Sequence, residues 1–118
     1  MTEVNFRFTQ SFIKSFDTVV DHLMFYNQQN SQSIHQAKQA VLKAQQVIEQ
    51  HPQAYPINQD IAEYGLKYLE ANIKQDNKGF RILYSINQID DQYQIDFELF
   101  LLQKMSVQKA LTQFLLMH

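Results

Sequence analysis

Lys78-Gly79-Phe80-Arg81-Ile82-Leu83-Tyr84-Ser85-Ile86, a polar gap from Asn87 to Gln92, and then Tyr93-Gln94-Ile95-Asp96-Phe97-Glu98-Leu99-Phe100-Leu101-Leu102 decide how this chain folds. Phe80, Ile82, Tyr84 and Ile86 alternate with Arg81, Leu83 and Ser85, and the alternation resumes at Tyr93, Ile95, Phe97, Leu99 and Leu101. Successive side chains of a strand point to opposite faces, so a period of two in aromatic and β-branched residues marks strands, and the short polar gap makes them an antiparallel hairpin. Asn77 and Gly79 punctuate its start. On this pattern Asp96 and Glu98 share one face of the second strand, and with suitable register they lie across from Arg81.

The other apolar segments read as covers for this hairpin. Val4, Phe6 and Phe8 alternate with Asn5, Arg7 and Thr9, which predicts a first strand over residues 3 to 9. From Phe12 the period changes: Phe12, Ile13, Phe16, Val19, Val20, Leu23 and Met24 form one helical stripe ending near Gln28, with Thr9 or Ser11 as its cap. A polar elbow, Asn27 to Ser31, leads into a second helix from about Ser31 to Gln50. Its face of Ile34, Ala37, Val41, Ala44 and Ile48 is narrow and alanine-rich, so a neighbour can approach closely. His51-Pro52 stops it, because proline disfavours helix in the residue before it.

Residues 53 to 64 read as loop with one short turn at Gln59 to Tyr64. Gly65 opens a third extended segment, Leu66 to Ile73, with Leu66 and Tyr68 facing one way and Lys67, Leu69, Ala71 and Ile73 the other. Ser106 caps a last helix running to His118, with Val107, Ala110, Leu111, Phe114 and Leu115 at helical spacing. The order β-α-α-β-β-β-α predicts one α+β domain over residues 1–118: a small antiparallel sheet with an N-terminal αα-hairpin and a C-terminal helix, the helices packed on one face.

Composition narrows the chemistry. No cysteine is present, which removes disulfides, thiolate metal ligands and thiol nucleophiles. Twelve acidic against ten basic residues give a net charge of −2, without the basic excess expected of a nucleic-acid binder. His22, His35, His51 and His118 show no zinc spacing, and Asp90-Asp91 reads as a turn, not a metal site. With no glycine-rich phosphate loop and no G-x-S-x-G element, neither a metal nor a cofactor is expected. No stretch approaches the roughly 18 apolar residues of a membrane span, and no signal-peptide run opens the chain. The expectation is a soluble cytoplasmic protein with no membrane partner.

Three features in order carry a family resemblance. A first strand is followed by a long αα-hairpin that ends at His51-Pro52. A G-[FY]-R-[IL]-x-Y signature stands as Gly79-Phe80-Arg81-Ile82-Leu83-Tyr84. A closing apolar strand then runs from Phe97 to a basic end at Lys104. This set resembles the RelE/ParE toxin superfamily of bacterial type II toxin–antitoxin systems over nearly the whole chain. The resemblance implies a toxin neutralised by a cognate antitoxin that wraps it. RelE-like members cleave mRNA on the ribosome, whereas ParE-like members inhibit DNA gyrase.

Carried over residue by residue, the nuclease set is incomplete. Arg81 matches the signature arginine, Lys67 lies in the preceding extended segment, and Lys104 follows the last strand. A second lysine is replaced by Leu69, and residues 105–118 contain no tyrosine. The long αα-hairpin and the acidic balance favour a ParE-like or degenerate member that is not an enzyme. The alternatives are a ribosome-dependent mRNA endonuclease using Arg81, Lys67 and Lys104 as catalytic residues, and a non-toxic interaction module that keeps the fold.

Individual residues have competing readings. Arg81 reads first as a surface ion pair with Asp96 and Glu98, and otherwise as a phosphate or partner contact. Lys67, Lys74 and Lys78 read as solvated lysines before they read as a basic patch with Arg81. Val107, Leu111, Phe114 and Leu115 read as a stripe docked on the sheet, or as a surface that an antitoxin helix joins. A homodimer and a toxin–antitoxin hetero-oligomer both stay open.

Overall fold

A computed structural model describes residues 3–27 and 30–116. The elements follow in the order β1 (Glu3–Phe8), α1 (Gln10–Asn27), α2 (Asn30–Gln50), α3 (Gln59–Ala62), β2 (Leu69–Gln75), β3 (Lys78–Ile89), β4 (Gln92–Leu102) and α4 (Val107–Ala110), which runs into a π-helical turn at Leu111–Leu116. The fold is α+β, as the pattern predicts. The elbow at Gln28-Gln29 and the end of the chain at Met117-His118 lie outside the described residues.

The sheet has strand order β1-β4-β3-β2. β2–β3 and β3–β4 are antiparallel, but β1 runs parallel to β4, with Glu3 beside Gln92 and Phe8 beside Phe97. The sheet is therefore mixed and not wholly antiparallel. Parallel neighbours require a long crossover, and the αα-hairpin with β2 and β3 supplies it. The hairpin is also tighter than the polar gap suggests. β3 continues to Ile89 and β4 starts at Gln92, leaving Asp90-Asp91 as the turn, with Asp90 at a φ of 56°. Aspartate tolerates that left-handed backbone better than most residues.

Alternation along β4 breaks at Glu98. Leu83 pairs with Leu99 but Tyr84 pairs with Phe97, so Glu98 is an extra residue bulged out of β4. The bulge reverses the facing of everything after it. Phe97, Phe100 and Leu102 pack with Phe80, Ile82 and Tyr84 on one face, while Leu99 and Leu101 join Leu83 on the other. Tyr93, Ile95, Phe97, Leu99 and Leu101 thus do not share a face.

This corrects the expected layering. The first face is covered by α1 and α2, whose Phe12, Val19, Val20, Leu23, Ala37, Ala40, Ala44 and Ile48 are buried against it. The second face carries its own apolar patch because of the bulge. Ile61 of α3 and Val107, Ala110, Leu111 and Phe114 of the C-terminal helix cover it. Helices therefore pack on both faces. Ile13, counted in the α1 stripe, is 46% exposed, since it sits one position off the buried side.

Where β1 ends, the start of α1 takes over its hydrogen bonding. Thr9 caps α1, its hydroxyl accepting from the Phe12 amide, and the same hydroxyl donates to the Phe97 carbonyl. Ser11 donates to the Glu98 carbonyl, and the buried Ser15 hydroxyl accepts the Phe100 amide. Ser11 and Ser15 are one helical turn apart. They satisfy the backbone groups of β4 that no strand reaches, as buried polar groups require.

Candidate functional site

β3 places Arg81 opposite Asn72 of β2 and Leu101 of β4, on the face of the C-terminal helix. Glu70 projects on the same face, diagonal to Arg81 across the β2–β3 ladder. The Arg81 guanidinium donates to Glu70 Oε1 at 2.8 Å and to the Met105 carbonyl at 3.2 Å. Both partners are mostly covered, with side-chain exposures of 17% for Arg81 and 13% for Glu70. Asn58 Nδ2 donates to the same Glu70 oxygen at 2.8 Å, while Asn58 Oδ1 caps α3 by accepting the Ile61 amide. One polar chain thus joins the cap of α3, the start of β2, the signature strand and the turn after β4.

The ion-pair reading of Arg81 therefore stands, with a different partner. Asp96 is salt-bridged to Arg7, its neighbour in the β1–β4 register. Glu98 accepts from the Ser85 hydroxyl at 3.1 Å. Arg81 lies opposite Leu101 and beyond the bulge from both acids, so neither takes it.

Lys67 is set apart from Arg81, whereas Lys104 lies in the turn that Arg81 bonds. Both are exposed. Lys67 precedes β2 by the end that faces Tyr84, roughly 16 Å along an extended chain from Asn72, the position opposite Arg81. Lys104 follows β4 in the same turn as Met105, whose carbonyl Arg81 holds. Lys74, on Arg81's other diagonal, is exposed, and its carbonyl accepts from Lys43 Nζ. A phosphate-gripping cluster would need these cations to converge on Arg81, whose guanidinium is already held by Glu70 and the Met105 carbonyl.

The proposed partner stripe has an internal use. Val107, Leu111 and Phe114 are 2%, 1% and 4% exposed, and Leu115 packs at the margin of the same cluster. These side chains fill the second face of the sheet, so they do not form an open docking surface. Among the described residues, no group of three or more histidines and acids is placed to hold a metal ion.

Two other features of the signature are structural. The Tyr84 hydroxyl is buried and donates to the Pro52 carbonyl at 2.8 Å, joining the signature to the turn that stops α2. Burial, with Tyr55 nearby, pushes the Tyr84 phenol well above its usual range. Gly79 lies tight against Gln103, whose backbone N–H donates to the Gly79 carbonyl at 3.0 Å; a Cβ here would meet the Gln103 side chain.

Beyond the C-terminal helix, the second face of the sheet is polar: Arg7, Tyr68, Ser85, Asp96 and Glu98 gather there. Burial, then the charge of Glu98, pushes the Tyr68 phenol up to about 12. The opposite side, covered by α1 and α2, carries an apolar groove. The groove, of about 430 Å³, is lined by Phe8, Phe12, Ile13, Phe16, Val41 and Leu42, with Lys38 and Gln45 also in its lining. Ile13 and Leu42 are 46% and 50% exposed there. The described helices include none long and apolar enough to cross a membrane.

Sequence reasoning missed Glu70, Asn58 and Ser15. A usable signal existed for Glu70. A two-residue turn at Asp76-Asn77 sets Gln75 opposite Lys78, which places Glu70 diagonal to Arg81. Comparison with protein-family models, curated proteins and solved structures returned no match to the chain.

Proposed function

We propose that this chain is a cytoplasmic toxin component of a bacterial type II toxin–antitoxin pair, ParE-like or degenerate, that works by binding protein and not by cutting RNA. The order of strand, αα-hairpin, signature strand and closing strand supports the toxin reading. So does the Tyr84–Pro52 hydrogen bond, which ties the signature to the helix stop. The observation that carries the non-nuclease half is the Arg81–Glu70 pair: a guanidinium neutralised by a carboxylate and held by a backbone carbonyl has little left to offer a scissile phosphate. DNA gyrase is the target that the ParE-like resemblance implies.

An antitoxin segment would find apolar contact area along the α1–α2 groove. Exposed Phe8, Ile13 and Leu42 offer the kind of concave apolar surface that an amphipathic helix fills. The test is to induce the chain alone in a bacterium, then together with a short neighbouring gene that encodes a DNA-binding half and an acidic half. The reading predicts growth arrest alone and recovery on co-expression. Normal growth with abundant folded protein would leave the interaction module in its place.

A further inference from the structure

β1 is an edge strand, and among the described residues nothing pairs with its outer side. The direction of its free backbone groups follows from its bonds to β4. The Glu3 amide donates to the Asp91 carbonyl, and the Thr9 amide just past the strand donates to the Phe97 carbonyl. In a parallel ladder the residues that bond the neighbour alternate with residues whose N–H and C=O point away. Glu3, Asn5 and Arg7 therefore face β4, and Val4, Phe6 and Phe8 present their backbone groups outward.

We infer that this edge pairs antiparallel with β1 of a second copy of the chain, about a two-fold axis at Asn5. Antiparallel hydrogen-bonded pairs form between residues that both point outward, so even-numbered residues must meet even-numbered ones. One such register sets Val4 opposite Phe6 of the second copy and Asn5 opposite Asn5. It also sets Glu3 opposite Arg7, twice by symmetry. Shifting the pairing by one allowed step in either direction puts Arg7 or Glu3 opposite Asn5 and loses the charge match.

The side chains suit this arrangement. Arg7 bonds Asp96 yet keeps 67% of its side chain exposed, leaving donors for a second carboxylate. Glu3 is exposed and accepts from Gln92. Oppositely charged residues directly across a strand pair favour that register, and like charges oppose it. On the helical face, the half-buried Val4 and Phe6 and the 41% exposed Phe8 form an apolar stripe that the second copy continues. Proline and bulges, which commonly block edges, are absent from β1. The product is a continuous eight-stranded sheet across two chains.

The test uses cysteine placement and sedimentation. The natural chain has no cysteine, so a single introduced thiol reports one position. Asn5→Cys places two thiols across a non-hydrogen-bonded pair with Cα atoms about 4.5 Å apart, within disulfide reach. Glu3→Cys places them more than about 10 Å apart. Mild oxidation should crosslink the first variant and leave the second as single chains. The unmodified protein should sediment at twice the 14.0 kDa chain mass at micromolar concentration. Glu3→Arg, with circular dichroism unchanged, should raise the dimer dissociation constant by about tenfold or more. A monomer throughout the micromolar range, equal crosslinking of both cysteine variants, or a dimer unaffected by Glu3→Arg would overturn the inference.

Discussion

Arg81 of the signature strand is bonded to Glu70 of the neighbouring strand at 2.8 Å, and that carboxylate is also the hydrogen-bond acceptor of Asn58 at the cap of α3. The arginine is thus part of what positions the short helix and the turn after β4. Substituting it should register as a loss of stability. Arg81→Ala leaves a mostly covered carboxylate with one neutral donor, and the expected cost is about 1.5–3 kcal/mol, the range for hydrogen bonds to charged groups. Glu70→Gln should cost less, and a double-mutant cycle by urea denaturation should give a coupling of about 1 kcal/mol. Additive effects would mean that the pair does not hold the fold.

Ser15 is 1% exposed and accepts the amide of Phe100 at 3.0 Å. Ser15→Ala leaves that amide buried without a partner, and the expected cost is about 1–3 kcal/mol. Amide exchange at Phe100 should accelerate selectively. Unchanged protection there would show that another acceptor takes over.

Leu111 and Phe114 fill the patch that the Glu98 bulge creates with Leu83, Leu99 and Leu101. Leu111→Ala should destabilise the protein by about 2–5 kcal/mol, as expected for a truncated core residue. Ile13→Ala, on the open α1 surface, should cost under about 1 kcal/mol. Thermal denaturation of the two variants compares them directly. Similar small effects would mean that the C-terminal helix is not part of the core.

Tyr68 sits beside Glu98 with its phenol raised to about 12 from 10.0. The folded state therefore holds this proton more tightly than the unfolded chain does. Its contribution to stability is fully present below pH 10 and is lost as pH rises from there through about 12. Tyr68→Phe should flatten the alkaline limb of a stability–pH curve. An identical limb in the variant would remove Tyr68 as its source.

Most of the fold was legible in the sequence, because periods of two and of 3.6 report directly on one-sided burial. β1, the αα-hairpin, the helix stop at His51-Pro52 and the central hairpin all lie where those patterns put them. The mixed sheet was not legible, since strand direction depends on how the crossover returns and not on any local pattern. The bulge was hidden by composition: in Phe97-Glu98-Leu99-Phe100-Leu101-Leu102 apolar residues fill both parities, so nothing marks where the facing reverses. That reversal is why the C-terminal helix has a face of its own to cover. It also moves Glu98 off Arg81's diagonal, while the register from the Asp90-Asp91 turn already sets Asp96 opposite Ser85. Ser15 was overlooked because a serine inside an apolar helix looks like a tolerated exception. Its role appears only when β4 extends beyond β1.

The central claim is that the signature arginine holds the protein together and does not act on RNA. Its most direct test is to map the 5′ ends of cellular mRNA after the chain alone has been induced in a bacterium, in parallel with the Arg81→Ala variant. The account predicts no new ends within coding sequences, with the variant differing only in its folded amount. New ends within coding sequences that vanish in a folded Arg81→Ala protein would contradict it.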